Sequence, residues 1–337
     1  MINGHGDDLY RFGSVRINFS SNIYSRFDHS ALFDFLSARL RLIANYPEPV
    51  PYSLEEKLAG KHGVSNGNVL ATNGATEAIY LIANAWHGAR SLILQPTFAE
   101  YADACLMHGH EVVGIKSIDE IHNERSLAWI CNPNNPTGTI VDKRRLLSLA
   151  HECPDVLFVI DQSYWAYTEK DTVEAREAVS MPNVVLLFSM TKDYAVPGLR
   201  LGYMVANECL VSAVAKWRMP WSVNRLAIEA GKFLLEHSAA YRIDASALCE
   251  ERRRVAGRLN ELGITTHPSD SNILLCELPS GESKYLKKCL AERYGILIRD
   301  ASNFDGLGLR HFRIAVQSAE DDDELLKAIN EILSNGK

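Results

Sequence analysis

The sequence predicts an α/β protein in which a mainly parallel, seven-stranded sheet lies between helices and a smaller α+β domain packs beside it. Three observations predict this. Strand-like and helix-like segments alternate from about residue 69 to residue 205, the rhythm of parallel crossover units. After residue 205 a long helical stretch and widely spaced strands replace that rhythm. No internal repeat and no Gly/Ser or Pro-rich linker divides the chain.

The expected strands are Val69–Ala71, Ser91–Leu94, Glu111–Ile115, Ser126–Cys131, Leu157–Ile160, Val184–Phe188 and Leu201–Val205, each a short run rich in β-branched or other apolar residues. Between them, helical spacing marks Ala75–Trp86, closed by Gly88; Phe98–His108, closed by Gly109; and Lys143–His151. Further on, the pattern predicts a helical stretch from Ser222 to Leu262, a strand at Asn272–Cys276, a helix at Lys284–Tyr294 and a strand at Phe312–Val316. The expected division is residues 1–45 joining the small domain, 46–225 as the large domain and 226–337 as the small domain.

Composition narrows the function. The 35 Lys and Arg residues against 42 Asp and Glu give a net charge of −7, which disfavours phosphate-backbone binding, so no nucleic-acid partner is expected. The longest apolar runs, such as Val184–Phe188, are far below the ~20 residues of a spanning helix. Residues Met1–Asp8 lack a basic region followed by an apolar stretch, so a cytoplasmic location is expected. Seven cysteines, odd in number and without Cys-x-x-Cys spacing, argue against a zinc knuckle or a disulfide framework. His108 and His110 read as surface residues, and no metal ligand set is assigned.

In open α/β sheets, ligands collect beyond the carboxyl ends of the strands. Four loops there carry reactive or turn-forming residues: Asn73–Glu77, Asn132–Gly138, Asp161–Tyr164 and Ser189–Lys192, the last continuing through Pro197–Tyr203. Asn73-Gly74-Ala75-Thr76 opens a helix whose free N–H groups attract an anion, with Thr76 as a candidate cap; the bland alternative is an ordinary strand-to-helix turn. Ser189 and Thr191 add hydroxyls and Arg200 a planar fork, so three elements suited to a phosphate converge. Lys192 follows an apolar strand and lies near Arg200. Burial and a neighbouring cation both favour its neutral, nucleophilic amine, able to form a Schiff base; the alternative is a solvated surface lysine. Asp161 ends an apolar strand and needs a cationic partner. The protonated ring nitrogen of pyridoxal phosphate would serve, with Asn135 and Tyr164 donating to a ring oxygen and Phe98 stacking on the ring face. Taken singly, Asp161 could be a helix cap, Asn135 a turn amide and Phe98 a core residue.

The order and spacing of Asn132–Gly138, Asp161-x-x-Tyr164, Ser189-x-x-Lys192 and Pro197-Gly-Leu-Arg-Leu-Gly202 resemble the class I/II aminotransferase family, the fold-type-I pyridoxal-phosphate enzymes. The resemblance implies pyridoxal 5'-phosphate as cofactor, joined to Lys192 and paired through its ring nitrogen with Asp161. It implies that Asn135 and Tyr164 contact the ring hydroxyl, and that Ala75, Thr76, Ser189 and Arg200 hold the phosphate. It also implies a homodimer in which Tyr46 reaches the neighbouring subunit's cofactor phosphate, and an amino-acid substrate gripped at its carboxylate by Arg313 and oriented by Asn22. Two branches are near: histidinol-phosphate aminotransferases and the threonine-phosphate decarboxylases of cobalamin biosynthesis. Segments His5-Gly6, Phe98–Tyr101, Met219–Asn224 and Ile296–Arg299 followed by Asn303–Leu307 are more similar to the decarboxylase branch. Gln317 stands where those enzymes often carry arginine; His5, Arg299 and Arg310 are the other candidate cations for a substrate phosphate, with a surface position the equal reading for Arg310. Expected activities are therefore decarboxylation of a small phosphorylated amino acid, then transamination, then a ligand-binding role without catalysis.

Overall fold

The structure is a computed structural model and describes residues 6–335. A short strand, β1 (Ile17–Asn18), lies near the start. Then β2 (Val69–Thr72), β3 (Arg90–Leu94), β4 (Glu111–Ile115), β5 (Ser126–Cys131), β6 (Val156–Asp161), β7 (Val184–Phe188) and β8 (Gly202–Ala206) form a seven-stranded sheet in the order β2-β8-β7-β6-β5-β3-β4. Only β8 runs against its neighbours. The predicted α/β class and all seven predicted strands of this sheet are present, within one residue at each end.

Helices cover both faces because both faces are apolar. Along β5 and β6, Leu127, Trp129, Leu157 and Val159 enter one core, while Ala128, Ile130, Phe158 and Ile160 enter the other. A strand buried on both sides reads as a continuous apolar run, which is what these segments show. Burying each large side chain contributes about 1.5–3 kcal/mol. The helices of this part are α1 (Ser30–Ser37), α2 (Tyr52–His62), α3 (Gly74–Ala85), α4 (Glu100–Met107), α5 (Lys143–Glu152), α6 (Ala175–Val179), α7 (Met190–Asp193) and α8 (Glu208–Ala215).

The C-terminal part contains α9 (Arg225–Glu236), α10 (Ala245–Glu261), β9 (Thr265–Thr266), β10 (Ile273–Glu277), α11 (Ser283–Cys289), β11 (Ile296–Leu297), β12 (Arg299–Asp300), β13 (His311–Ala315) and α12 (Ala319–Asn335). Strands β12-β13-β10-β9 form an antiparallel sheet, and β1 pairs in parallel with β11. Phe312 and Ile314 pack with Val255, Leu259, Leu325 and Ile329 in the core that continues from one face of the large sheet. Helix α1, by contrast, sends Leu32 into the opposite core, and Phe35 packs on Phe233 of α9 with ring centres 4.6 Å apart.

Three local expectations are corrected. The helical stretch expected from Ser222 to Leu262 is two helices, broken between Glu236 and Ala245. No Gly or Pro marks the break; the His237 ring stacks on Phe233 at 4.1 Å and ends α9, while Asp244 caps α10 by accepting from the Ala247 N–H. The helix expected over Lys284–Tyr294 widens into a π-helical turn at Leu290–Tyr294, closed by Gly295 at φ 67°. His110 is buried rather than on the surface, its ring joined to the Ser91 hydroxyl and the Ala83 carbonyl, both at 2.8 Å. Among the described residues no helix is long and apolar enough to cross a membrane.

Candidate active site

The carboxyl ends of β2, β3, β5, β6 and β7 open onto one cavity of about 280 Å³. It is lined from the large sheet by Ala75, Thr76, Phe98, Asn135, Asp161, Tyr164, Ser189, Lys192 and Arg200, and from the other side by Asn22, Arg299 and Arg313. The structure thus brings together twelve of the fourteen predicted site residues. Tyr46 lies apart, 81% exposed and packed against Trp221 with ring centres 5.3 Å apart. His5 lies outside the described residues.

One end of the cavity is suited to an anion. Helix α3 begins there with Asn73 at its cap, yet the Asn73 side chain makes no capping bond, so the first-turn N–H groups are left for another acceptor. Thr76 sits inside the first turn and is not the cap. The Arg200 fork reaches the same place from a left-handed backbone (φ 55°), its Nη1 donating to the Pro197 carbonyl at 3.2 Å. The approach is close enough that a Cβ on Gly74 would sit 2.6 Å from an Arg200 nitrogen. A Cβ on Gly202, in β8, would sit 2.2 Å from the Ala75 backbone nitrogen. Backbone cannot swing aside as a side chain can. Gly202→Ala is therefore expected to cost about 1–3 kcal/mol, seen as a lower midpoint in urea unfolding; an unchanged midpoint would refute this packing argument.

At the floor, Asp161 is 4% exposed and has no Lys or Arg within salt-bridge distance among the described residues. Its carboxylate accepts from the Ser163 N–H at 2.9 Å, the Ser163 hydroxyl at 2.6 Å and the Tyr101 hydroxyl at 2.7 Å. Burial outweighs these donors and raises its pKa above the usual carboxylate range. A buried carboxylate so placed has room for a cationic group of a bound ligand to offset its charge.

Lys192 lies in α7, directly after β7, and its Nζ donates to the Ser21 carbonyl at 2.5 Å. Burial, then the nearby Arg313 and Arg200 guanidiniums, push its pKa down to about 7, against the opposing pull of Asp7 and Asp161. The expected neighbour, Arg200, contributes, but Arg313 contributes more. Arg313 is itself buried; it donates to Asn135 Oδ1 and to the Ser20 carbonyl, and its Nε has no partner. The Asn22 amide donates to the Tyr164 hydroxyl at 3.2 Å, while its Oδ1 is buried without a partner. Two orphaned polar atoms, free first-turn N–H groups and an unpaired buried carboxylate form a donor and acceptor set that fits pyridoxal phosphate and an amino-acid substrate.

Other predicted residues are placed away from the cavity. Gln317 bonds Ser25 and the carbonyls of Ile23 and Ala315, so it braces the chain behind Asn22. Arg310 is exposed and binds Glu277. Tyr101 and Ser163 were missed as site residues, although the Asp161-x-Ser163 pattern is a turn signal that could have found the second. Tyr101 carried none, since only the approach of α4 to β6 brings it to Asp161.

The family model for aminotransferase class I and II matches residues 15–332. The threonine-phosphate decarboxylase of Salmonella typhimurium is 30% identical over 334 residues, covering 94% of this chain and 91% of that protein. The histidinol-phosphate aminotransferase of Brevibacillus brevis is 28% identical, covering 89% and 85%. The crystal structure of L-threonine-O-3-phosphate decarboxylase from Porphyromonas gingivalis superposes with a TM-score of 0.92 at 38% identity, covering 95% of this chain and all of the other.

Proposed function

Because the chain belongs to the class I and II aminotransferases, a family dependent on pyridoxal phosphate, we propose that it decarboxylates a small amino acid bearing both a carboxylate and a phosphate, L-threonine O-3-phosphate being the model. One observation carries this reading. Arg299 and Arg313 are directly opposed partners on β12 and β13, and both line the cavity. Like charges opposite each other destabilise a strand pair, so a dianion bridging them would relieve the repulsion. Arg299 is already aimed, donating to Asn303 Oδ1 at 2.8 Å and lying over the Phe304 ring. Histidinol phosphate has no carboxylate and would leave one fork unmatched. The similarity to threonine-phosphate decarboxylases supports the same choice, and with it a role in cobalamin biosynthesis.

In this reading the α3 N-terminus, Thr76, Ser189 and Arg200 hold the cofactor phosphate, Lys192 carries the cofactor, Asp161 faces its ring nitrogen, and Asn135, Tyr164 and Phe98 line the ring. Bound pyridoxal phosphate supplies an electron sink for the pair released when a bond at the substrate Cα breaks. Arg313 grips the carboxylate and Arg299 the phosphate, while Asn22 positions Tyr164. Lys192 Nζ, buried in the same cavity, would deliver a proton to Cα once CO2 has left.

A cytoplasmic homodimer belongs to the same proposal. Leu40, Ile43, Tyr46, Tyr52, Trp217, Met219 and Trp221 are exposed large apolar side chains, a composition suited to a second copy. All seven cysteines are unpaired, as in a reducing compartment.

The test incubates holoenzyme with L-threonine O-3-phosphate and, separately, histidinol phosphate with a keto acid. CO2 and 1-aminopropan-2-ol phosphate are expected from the first without any keto acid. Arg299→Met is expected to lower kcat/KM about 10- to 100-fold, the worth of a charge-assisted bond. Amino-group transfer without CO2 release would make the chain a transaminase and overturn the proposal.

A further inference from the structure

At the outer end of the small sheet, the ends of three adjacent strands bring His267, Glu277 and His311 together. One ligand-capable atom of each lies within 4.8 Å of the others. Glu277 and His311 are direct partners across β10 and β13, and His267 follows edge strand β9, held by its N–H donating to the Leu275 carbonyl at 2.9 Å. The imidazoles stack with ring centres 5.8 Å apart. Two nearby imidazoles gain little from each other, and His267 Nε2 is sealed from solvent with no hydrogen-bond partner. A buried polar atom left unsatisfied calls for an occupant.

We propose that these three residues form a binding site for a zinc-class divalent cation. Two imidazole nitrogens and one carboxylate oxygen are a borderline donor set that suits zinc and its neighbours rather than magnesium or calcium. The surroundings support the ligands. His311 Nδ1 lies 3.0 Å from the Gly308 N–H and 3.2 Å from the Gly308 carbonyl; an ion on Nε2 requires the tautomer that gives up the first contact and donates to the second, the usual outer-sphere arrangement of a metal-binding histidine. Arg310 holds Glu277 Oε1, leaving Oε2, which lies 3.9 Å from His311 Nε2, to face the cluster. Donors bound at about 2.0–2.1 Å to one tetrahedral ion sit roughly 3.4 Å apart, so the set would have to draw together by about 1 Å around the ion, with water as a fourth ligand. Strand period places His311 on the same face of β13 as Arg313, so the ion would brace the strand that presents Arg313 to the cavity.

Zinc chloride titrated into chelator-treated holoenzyme, against a chromophoric chelator, tests this. One zinc per chain is expected, with affinity lowered at least about 100-fold in His267→Ala and in Glu277→Gln, and the cofactor absorbance retained. Cobalt(II) should give visible bands of a four- or five-coordinate site that His267→Ala abolishes. If alanine at 267 prevents folding, His267→Gln removes the ligand while keeping bulk and a polar tip. Affinities within about threefold of the parent in folded variants would overturn the proposal, as would cobalt bands that survive the loss of His267.

Discussion

Lys192→Ala is expected to abolish covalent capture of pyridoxal phosphate and to lower turnover by at least about 10⁴-fold, since one amine serves as both attachment point and proton carrier. The readouts are the cofactor's visible absorbance and kcat. The pH dependence is equally specific. The neutral amine is the nucleophile, and with its pKa at about 7 it is lost as pH falls through that value. The rate at which apoprotein captures the cofactor should therefore rise with pH to about 7 and then level off, whereas an ordinary lysine would keep gaining to about 10.4. Linkage gives a second consequence. Between these two pKa values the unfolded chain binds more protons than the folded one, so this lysine makes apoprotein stability rise with pH across that window, and Lys192→Ala removes the contribution. A capture rate still climbing above pH 9 would contradict the cause assigned to the shift.

Asp161→Asn should separate two effects of opposite sign. In the holoenzyme, removing one partner of a buried ion pair costs about 3–5 kcal/mol, so kcat is expected to fall on the order of 10²- to 10⁴-fold. In the apoprotein the same carboxylate has no cation, and burial holds its pKa above the usual range. That upward shift makes the carboxylate oppose folding increasingly as pH climbs from its unfolded-state pKa toward its folded-state pKa, after which the effect levels off. The asparagine Oδ1 can still accept from Ser163, and the Tyr101 hydroxyl can turn to accept from Nδ2. The apoprotein Tm should thus be unchanged or higher. Turnover within a few-fold of the parent would remove Asp161 from the role proposed for it.

Much of this was legible locally. Apolar runs such as Leu157–Ile160 and Val184–Phe188 have no stable use except as strands buried on both faces, and a residue immediately after such a strand must emerge at the sheet's carboxyl edge. Asp161, Ser189 and Lys192 could therefore be assigned to one edge before any contact was known. The break between Glu236 and Ala245 was harder to read, because it depends on His237 finding Phe233 rather than on a helix-breaking residue. Its one local sign was Asp244, a good cap in mid-stretch.

The amino-acid order by itself thus determined the layered α/β class, the strands of the large sheet and the residues beyond its carboxyl edge. These follow from periodicity and chain direction, which act over a few residues. Only the tertiary structure decided that Arg299 and Arg313 oppose each other, that Tyr101 reaches Asp161, that Gln317 braces the backbone and that His267, Glu277 and His311 meet. Those pairings depend on strand register and helix approach, which are set by long-range packing of the whole core, and no local pattern encodes them.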